Sequence, residues 1–109
     1  MKSITDSTAL AEIHGAKRPI VVKFEARWCN PCKAMKPLLD DIEKQLDGKV
    51  DFYVADVEQC MNTAQFYRVG QIPALVAIHN GDVMATRVGA ASKAEMLQWI
   101  KTALPGVKE

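Results

Sequence analysis

An excess of charge of either sign is missing from this sequence. Fourteen lysines and arginines stand against 13 aspartates and glutamates, for a formal net charge of +1. No basic field exists to hold a polyanion, so no nucleic-acid partner is expected, and no acidic tail is present. Long apolar runs are missing too. The longest, Ala74 to Ile78, falls far short of the roughly 20 residues that a membrane-spanning helix needs. The segment from Met1 to Pro19 contains Asp6, Glu12 and His14 and no continuous apolar stretch, so it does not read as a secretory signal. A cytoplasmic setting is the expectation, and there thiols stay reduced unless they are catalytic or bind metal. Cysteine is scarce. Only three are present, an odd number that argues against a disulfide framework. Repeats, low-complexity tracts and interdomain linkers are absent, and the 109 residues read as one domain, 1–109.

What is present is an alternation of strand-like and helix-like segments. Ile20 to Phe24 is short and β-branched, the pattern of a buried strand. Ala34, Met35, Leu38, Leu39, Ile42 and Leu46 then recur at helical spacing, with Gly48 as a stop and Pro37 predicting a kink. Val50 to Val57 reads as a second strand and Cys60 to Tyr67 as a short helix. Two further strands, Ala74 to Ile78 and Val83 to Val88, flank Asn80-Gly81, a pair suited to the positive φ angles of a tight hairpin. The last helix opens at Ser92, and Glu95 completes a capping box. Upstream, Thr8 to His14 reads as a helix, preceded by a short strand near Lys2 to Ile4. Strands joined through a helix run parallel and a tight hairpin is antiparallel. The expectation is an α/β fold, with a mixed central sheet of four to five strands and helices on both faces.

Cys29 and Cys32 fall where the first clear strand gives way to a helix. The thiolate is the nucleophile, and a free cysteine with a pKa of about 8.5 supplies little of it at neutral pH. Unpaired amides and the positive end of the helix dipole favour the anion at such a position. Cys29 is expected to attack a target disulfide, and Cys32, one turn further in, to resolve the mixed disulfide. Pro31 suits an early helical position, where its missing N–H costs nothing. The alternatives are half of a zinc site or an inert structural pair. Zinc needs four ligands, and only Cys60, His14 and His79 remain, scattered and without a second close pair, so no metal is expected.

The stretch Phe24-Glu25-Ala26-Arg27-Trp28-Cys29-Asn30-Pro31-Cys32-Lys33, with Pro37 downstream, resembles the active-site segment of thioredoxins. Val69-Gly70-Gln71-Ile72-Pro73-Ala74 resembles the family's segment carrying a cis-proline. Asn80-Gly81-Asp82 and Arg87-Val88-Gly89-Ala90 resemble its hairpin and the glycine that follows. The resemblance implies a thioredoxin-like fold and a protein-disulfide reductase, with Cys29 attacking and Cys32 resolving. It also implies that Trp28 and the Ile72 backbone form part of the substrate surface. Pro73 would be cis and face the cysteines, and Gly89 would leave room for an extended target segment. The alternatives are a core aromatic for Trp28, a trans turn proline for Pro73 and a simple turn glycine for Gly89.

Three positions depart from the family pattern. Lys23 stands where thioredoxins usually carry a buried aspartate, and the family's partner lysine falls at Val54. Charged and near the sulfurs, Lys23 would favour both thiolates; uncharged, it would serve as a base for Cys32. The preferred reading is that it snorkels to solvent or pairs with a carboxylate such as Asp56, and is not an essential catalyst. Asn30 replaces the usual glycine between the cysteines, and Glu25 replaces a common aromatic. Lys23, Asn30, Pro31 and Lys33 are thus candidate modulators of the thiol pKa values, while Lys36 suits a solvated helix face. Cys60, without a local partner, reads as a packing residue, and His14 and His79 as surface or strand-edge residues.

The expected enzyme reduces protein disulfides as a monomer and carries electrons in its own thiols without a bound cofactor. By resemblance it would be recharged by an NADPH-dependent thioredoxin reductase. The competing class is a redox-independent binding module or accessory subunit that uses the Trp28, Ile72 and Pro73 rim.

Overall fold

The computed structural model describes residues 1–107. The elements run β1 (Lys2–Ile4), α1 (Asp6–His14), β2 (Ile20–Glu25), α2 (Asn30–Gln45), β3 (Asp51–Asp56), α3 (Met61–Phe66), β4 (Ala74–His79), β5 (Asp82–Val88) and α4 (Lys93–Ala103). All nine segments anticipated from the sequence are present, with ends displaced by a residue or two. One sheet holds the five strands in the order β1-β3-β2-β4-β5. β2 pairs in parallel with β3 and antiparallel with β4, so it occupies the centre. Lys108 and Glu109, included in the expected domain 1–109, lie outside the described residues.

The two faces of β2 explain the layering. Successive side chains of a strand point to opposite sides. Ile20, Val22 and Phe24 join Ile4, Ala9, Ile13 and Ala64 beneath α1 and α3. Val21, on the other side, joins Met35, Leu39, Ile42, Met96 and Ile100 beneath α2 and α4. A strand buried on both faces has no polar alternation to show, which is why Ile20–Phe24 reads as a nearly continuous apolar run. Lys23 interrupts that run on the α2 side, and it is buried all the same.

Local chemistry sets the ends. Ser92 accepts from the Glu95 amide at 3.1 Å, and the Glu95 carboxylate accepts from the Ser92 amide at 3.1 Å, which closes the anticipated box at the start of α4. Gly48 lies at φ +80°, in the left-handed region that favours glycine, and turns the chain from α2 toward β3. Asn80 and Gly81 both have positive φ at the β4–β5 hairpin, as that turn requires. Pro37 lies within α2, where it withholds one backbone N–H from the helix. Asp6, from the start of α1, receives the Asn62 and Thr63 amides and the Thr63 hydroxyl at 2.7–3.1 Å. It thereby caps a helix more than fifty residues away in sequence.

Candidate functional site

The end of β2 delivers the chain through Ala26, Arg27 and Trp28 to the first turn of α2. Cys29 is the N-cap residue of that helix, with extended φ and ψ of −89° and 102°. Its sulfur accepts a hydrogen bond from the Cys32 amide at 3.2 Å, one of the donors that a helix start leaves unpaired. Pro31 stands in the first turn, as expected. Cys29 and Cys32 are joined in a disulfide, with their Cα atoms 5.3 Å apart. The two are graded in accessibility: Cys29 retains 5% exposure and Cys32 only 1%. The outer sulfur therefore belongs to the residue that also has the extra amide donor.

Around the pair, Ala26 and the half-buried Val57 and Ile72 form an apolar collar. The Ile72–Pro73 peptide bond is cis, as anticipated. Trp28 is 68% exposed and is not a core aromatic. It lines a shallow apolar depression with Val57, Val69, Gly70, Gln71 and Ile72. Gly89 has φ +100°, and its amide donates to the Pro73 carbonyl at 2.8 Å. A Cβ there would meet nothing within 4 Å, so the backbone angle, rather than crowding, demands glycine.

Lys23 departs from the snorkelling expectation. Its side chain is 1% exposed, and Nζ donates to the Cys32 carbonyl at 2.8 Å. The carboxylate that pairs with it is Glu25, at 2.7 Å, whereas Asp56 lies 3.9 Å from exposed Arg27. Strand alternation puts residues two apart side by side on one face, so this partner was discernible in the sequence. Asn30, Pro31 and Lys33 are exposed at the start of α2. Lys36, one turn later, bonds Asp40 at 2.9 Å, and that hydrogen bond holds its ammonium pKa above the ordinary range, with Glu25 adding attraction.

Cys60 is fully buried, and its thiol donates to the Ile4 carbonyl at 3.1 Å. Burial, with Asp6 and Asp56 nearby, pushes its pKa up to about 11, so it is a packing thiol and not a nucleophile. His14 and His79 are exposed. Among the described residues no group of three or more histidine, cysteine, aspartate or glutamate side chains is placed to hold a metal ion.

The thioredoxin family model matches residues 1–102. The chain belongs to the thioredoxin family. Thioredoxin C-2 of Corynebacterium nephridii is 38% identical over 96 residues, which cover 88% of this chain and 89% of that protein. A thioredoxin of Buchnera aphidicola is 37% identical over 97 residues, 89% and 90% of the two chains. One from Rickettsia conorii is 32% identical over 102 residues, 94% and 97%. Thioredoxins are thiol–disulfide oxidoreductases acting on protein disulfides, and here the redox group is the chain's own Cys29–Cys32 pair. Within this thioredoxin frame the unusual pieces are Lys23, Glu25 and Asn30, two of which form the buried ion pair.

Proposed function

We propose that Cys29 makes the first attack on a target disulfide and that Cys32 resolves the mixed disulfide, so that the chain serves as a general protein-disulfide reductase. The observation that carries this order is the Cys32 amide at the Cys29 sulfur, on the more accessible member of the pair. An amide donor and the N-terminal end of a 16-residue helix both favour a thiolate there. Trp28, Ile72 and Pro73 supply the rim against which an extended target segment lies, and Gly89 the open ground beside it. A target strand would take its main-chain hydrogen bonds from the Ile72 backbone, since the Pro73 carbonyl is taken by the Gly89 amide.

Oxidised chain is returned to the dithiol by an NADPH-dependent thioredoxin reductase, and the protein works as a monomer in the cytoplasm. No helix among the described residues is long and apolar enough to cross a membrane. An insulin-type reduction assay tests the reading. Turnover is expected both with dithiothreitol and with a thioredoxin reductase plus NADPH. Activity with dithiothreitol alone would reject the reductase and keep the chemistry. Exposed Trp28 also favours a second reading, an accessory binding subunit, and replacing both cysteines with serine separates the two. Partner binding would survive that change, and reduction would cease.

A further inference from the structure

Lys23 is among the largest side chains wholly withdrawn from solvent, and its charge is committed to two contacts. One is the Glu25 carboxylate at 2.7 Å, and the other is the backbone carbonyl of Cys32 at 2.8 Å. A buried ammonium is costly without a partner, and Glu25, partly open to solvent at 31%, provides it. The cross-strand neighbours of Lys23, Val54 on β3 and Leu75 on β4, carry no charge. Charged groups on the neighbouring elements include Lys36 and Asp40 on α2, paired with each other, and Asp56, which stands beside Glu25 in the β2–β3 register and 3.9 Å from Arg27. They also include Arg87 on β5, in register with Leu75 and paired with Glu95. Bond lengths place an ammonium bonded to a cysteine carbonyl within about 7 Å of that residue's sulfur. That is inside a screening length of about 10 Å, and protein rather than water lies between.

We propose that Lys23, held by Glu25, is a positioning residue of the exchange that fixes a positive charge beneath the first turn of α2 and stabilises the Cys32 thiolate. This rests on Cys32 being the resolving thiol. In that step the Cys32 proton leaves to solvent and the thiolate attacks the Cys29 sulfur of the mixed disulfide. The Cys29–Cys32 bond forms, and the bond from Cys29 to the target sulfur breaks. The electron pair departs with the target sulfur, which takes a proton from water. Over the whole exchange the target disulfide gains two electrons and two protons, and the two thiols of the chain supply them. A fixed cation assists only the deprotonation. Lys23 need not touch the reacting sulfurs, which fits a residue that tunes the rate and does not abolish it when lost.

The test is a titration of Cys32 in the Cys29→Ser chain, followed by the 13Cβ chemical shift of Cys32 itself, which keeps it separate from Cys60, whose pKa burial pushes up to about 11. Adding Lys23→Met is expected to raise the Cys32 titration by about one pH unit, a tenfold loss of thiolate. With both cysteines present, Lys23→Met slows resolution of a preformed mixed disulfide at neutral pH by about three- to fourfold. The slowing is smaller than tenfold because a more basic thiolate is a better nucleophile. The pair variant Lys23→Met/Glu25→Gln removes both charges, leaves no unpaired ion in the interior and moves the titration the same way but less far. It decides the matter where Lys23→Met does not fold. A Cys32 titration unmoved or lowered in the folded variants would overturn the proposal. Trapping of the target on Cys32 instead of Cys29 would undo the proposed order of attack yet leave this titration as it was, so the two failures are distinguishable.

Discussion

The amide of Cys32 donates to the sulfur of Cys29 at 3.2 Å, so one member of the redox pair caps the helix that carries the other. Cys29 does the work that serine or aspartate does at other helix starts, and an amide donor at a cysteine sulfur favours the thiolate over the thiol. The two sulfurs are therefore unequal before any substrate arrives.

That inequality predicts different outcomes for the two serine variants. Cys32→Ser retains the attacking thiol and lacks the resolving one, so a disulfide-linked complex with a target accumulates. Cys29→Ser loses the favoured nucleophile and accumulates none. Turnover in both falls to the uncatalysed background. Non-reducing electrophoresis after mixing with a disulfide-containing target reads the difference, and equal trapping by the two variants would contradict it.

Cys60 should behave as a chemically silent thiol. With its pKa near 11 and no exposure, almost no thiolate is present at neutral pH. Reduced native protein is expected to take up one equivalent of iodoacetamide quickly, at Cys29, and the denatured chain three. Mass spectrometry counts the adducts, and fast native labelling of Cys60 would refute the packing role.

Asp6 contributes an acid-sensitive element of stability. The Thr63 hydroxyl, then the Thr63 and Asn62 amides, hold its carboxyl below the usual range. A depressed folded pKa adds stability that is present above the unfolded value of 3.8 and is lost as pH falls through the folded one. Urea unfolding midpoints measured downward from neutral pH should therefore decline less steeply in Asp6→Asn than in the parent. Glu12 and Glu95, also held below their usual range, leave the variant some acid sensitivity.

Glu25→Gln leaves the Lys23 ammonium in the interior without its counter-ion. Removing one partner of a buried pair costs about 3–5 kcal/mol, and partial exposure of Glu25 places this case near the lower end. A drop of about 3 kcal/mol in unfolding free energy by denaturant titration is expected. Lys23→Met/Glu25→Gln should recover most of it, since no charge is then left alone.

Much of this architecture was legible because local signals and tertiary needs agree. The apolar run of β2, the helical spacing of Met35, Leu39 and Ile42, the Asn80-Gly81 turn and the Ser92–Glu95 box each work over a few residues. The Cys29–Cys32 pair was legible for the same reason, since a cysteine pair at a strand-to-helix junction carries its own explanation. Lys23 was the instructive case. Its burial runs against the cost of an unpaired ammonium, and its partner is Glu25, two residues away on the same strand face, while Asp56 faces Arg27. Asp6 as the cap of α3 had no local signature at all, because donor and acceptor are brought together only by the packing of α1 against α3.

The sequence by itself determined the redox pair with which the chemistry begins: two cysteines at a helix start, spaced by one turn, need only local geometry to act on each other. It likewise determined the alternation of strands and helices, because periodicity is a local property of the chain. Only the tertiary structure decided which sulfur stays accessible, that Trp28 stands out from the surface, and that Lys23 is sealed beneath α2 with Glu25 as its counter-ion. Those outcomes depend on which element covers which, and burial and electrostatic pairing are properties of the assembled layers rather than of any one segment.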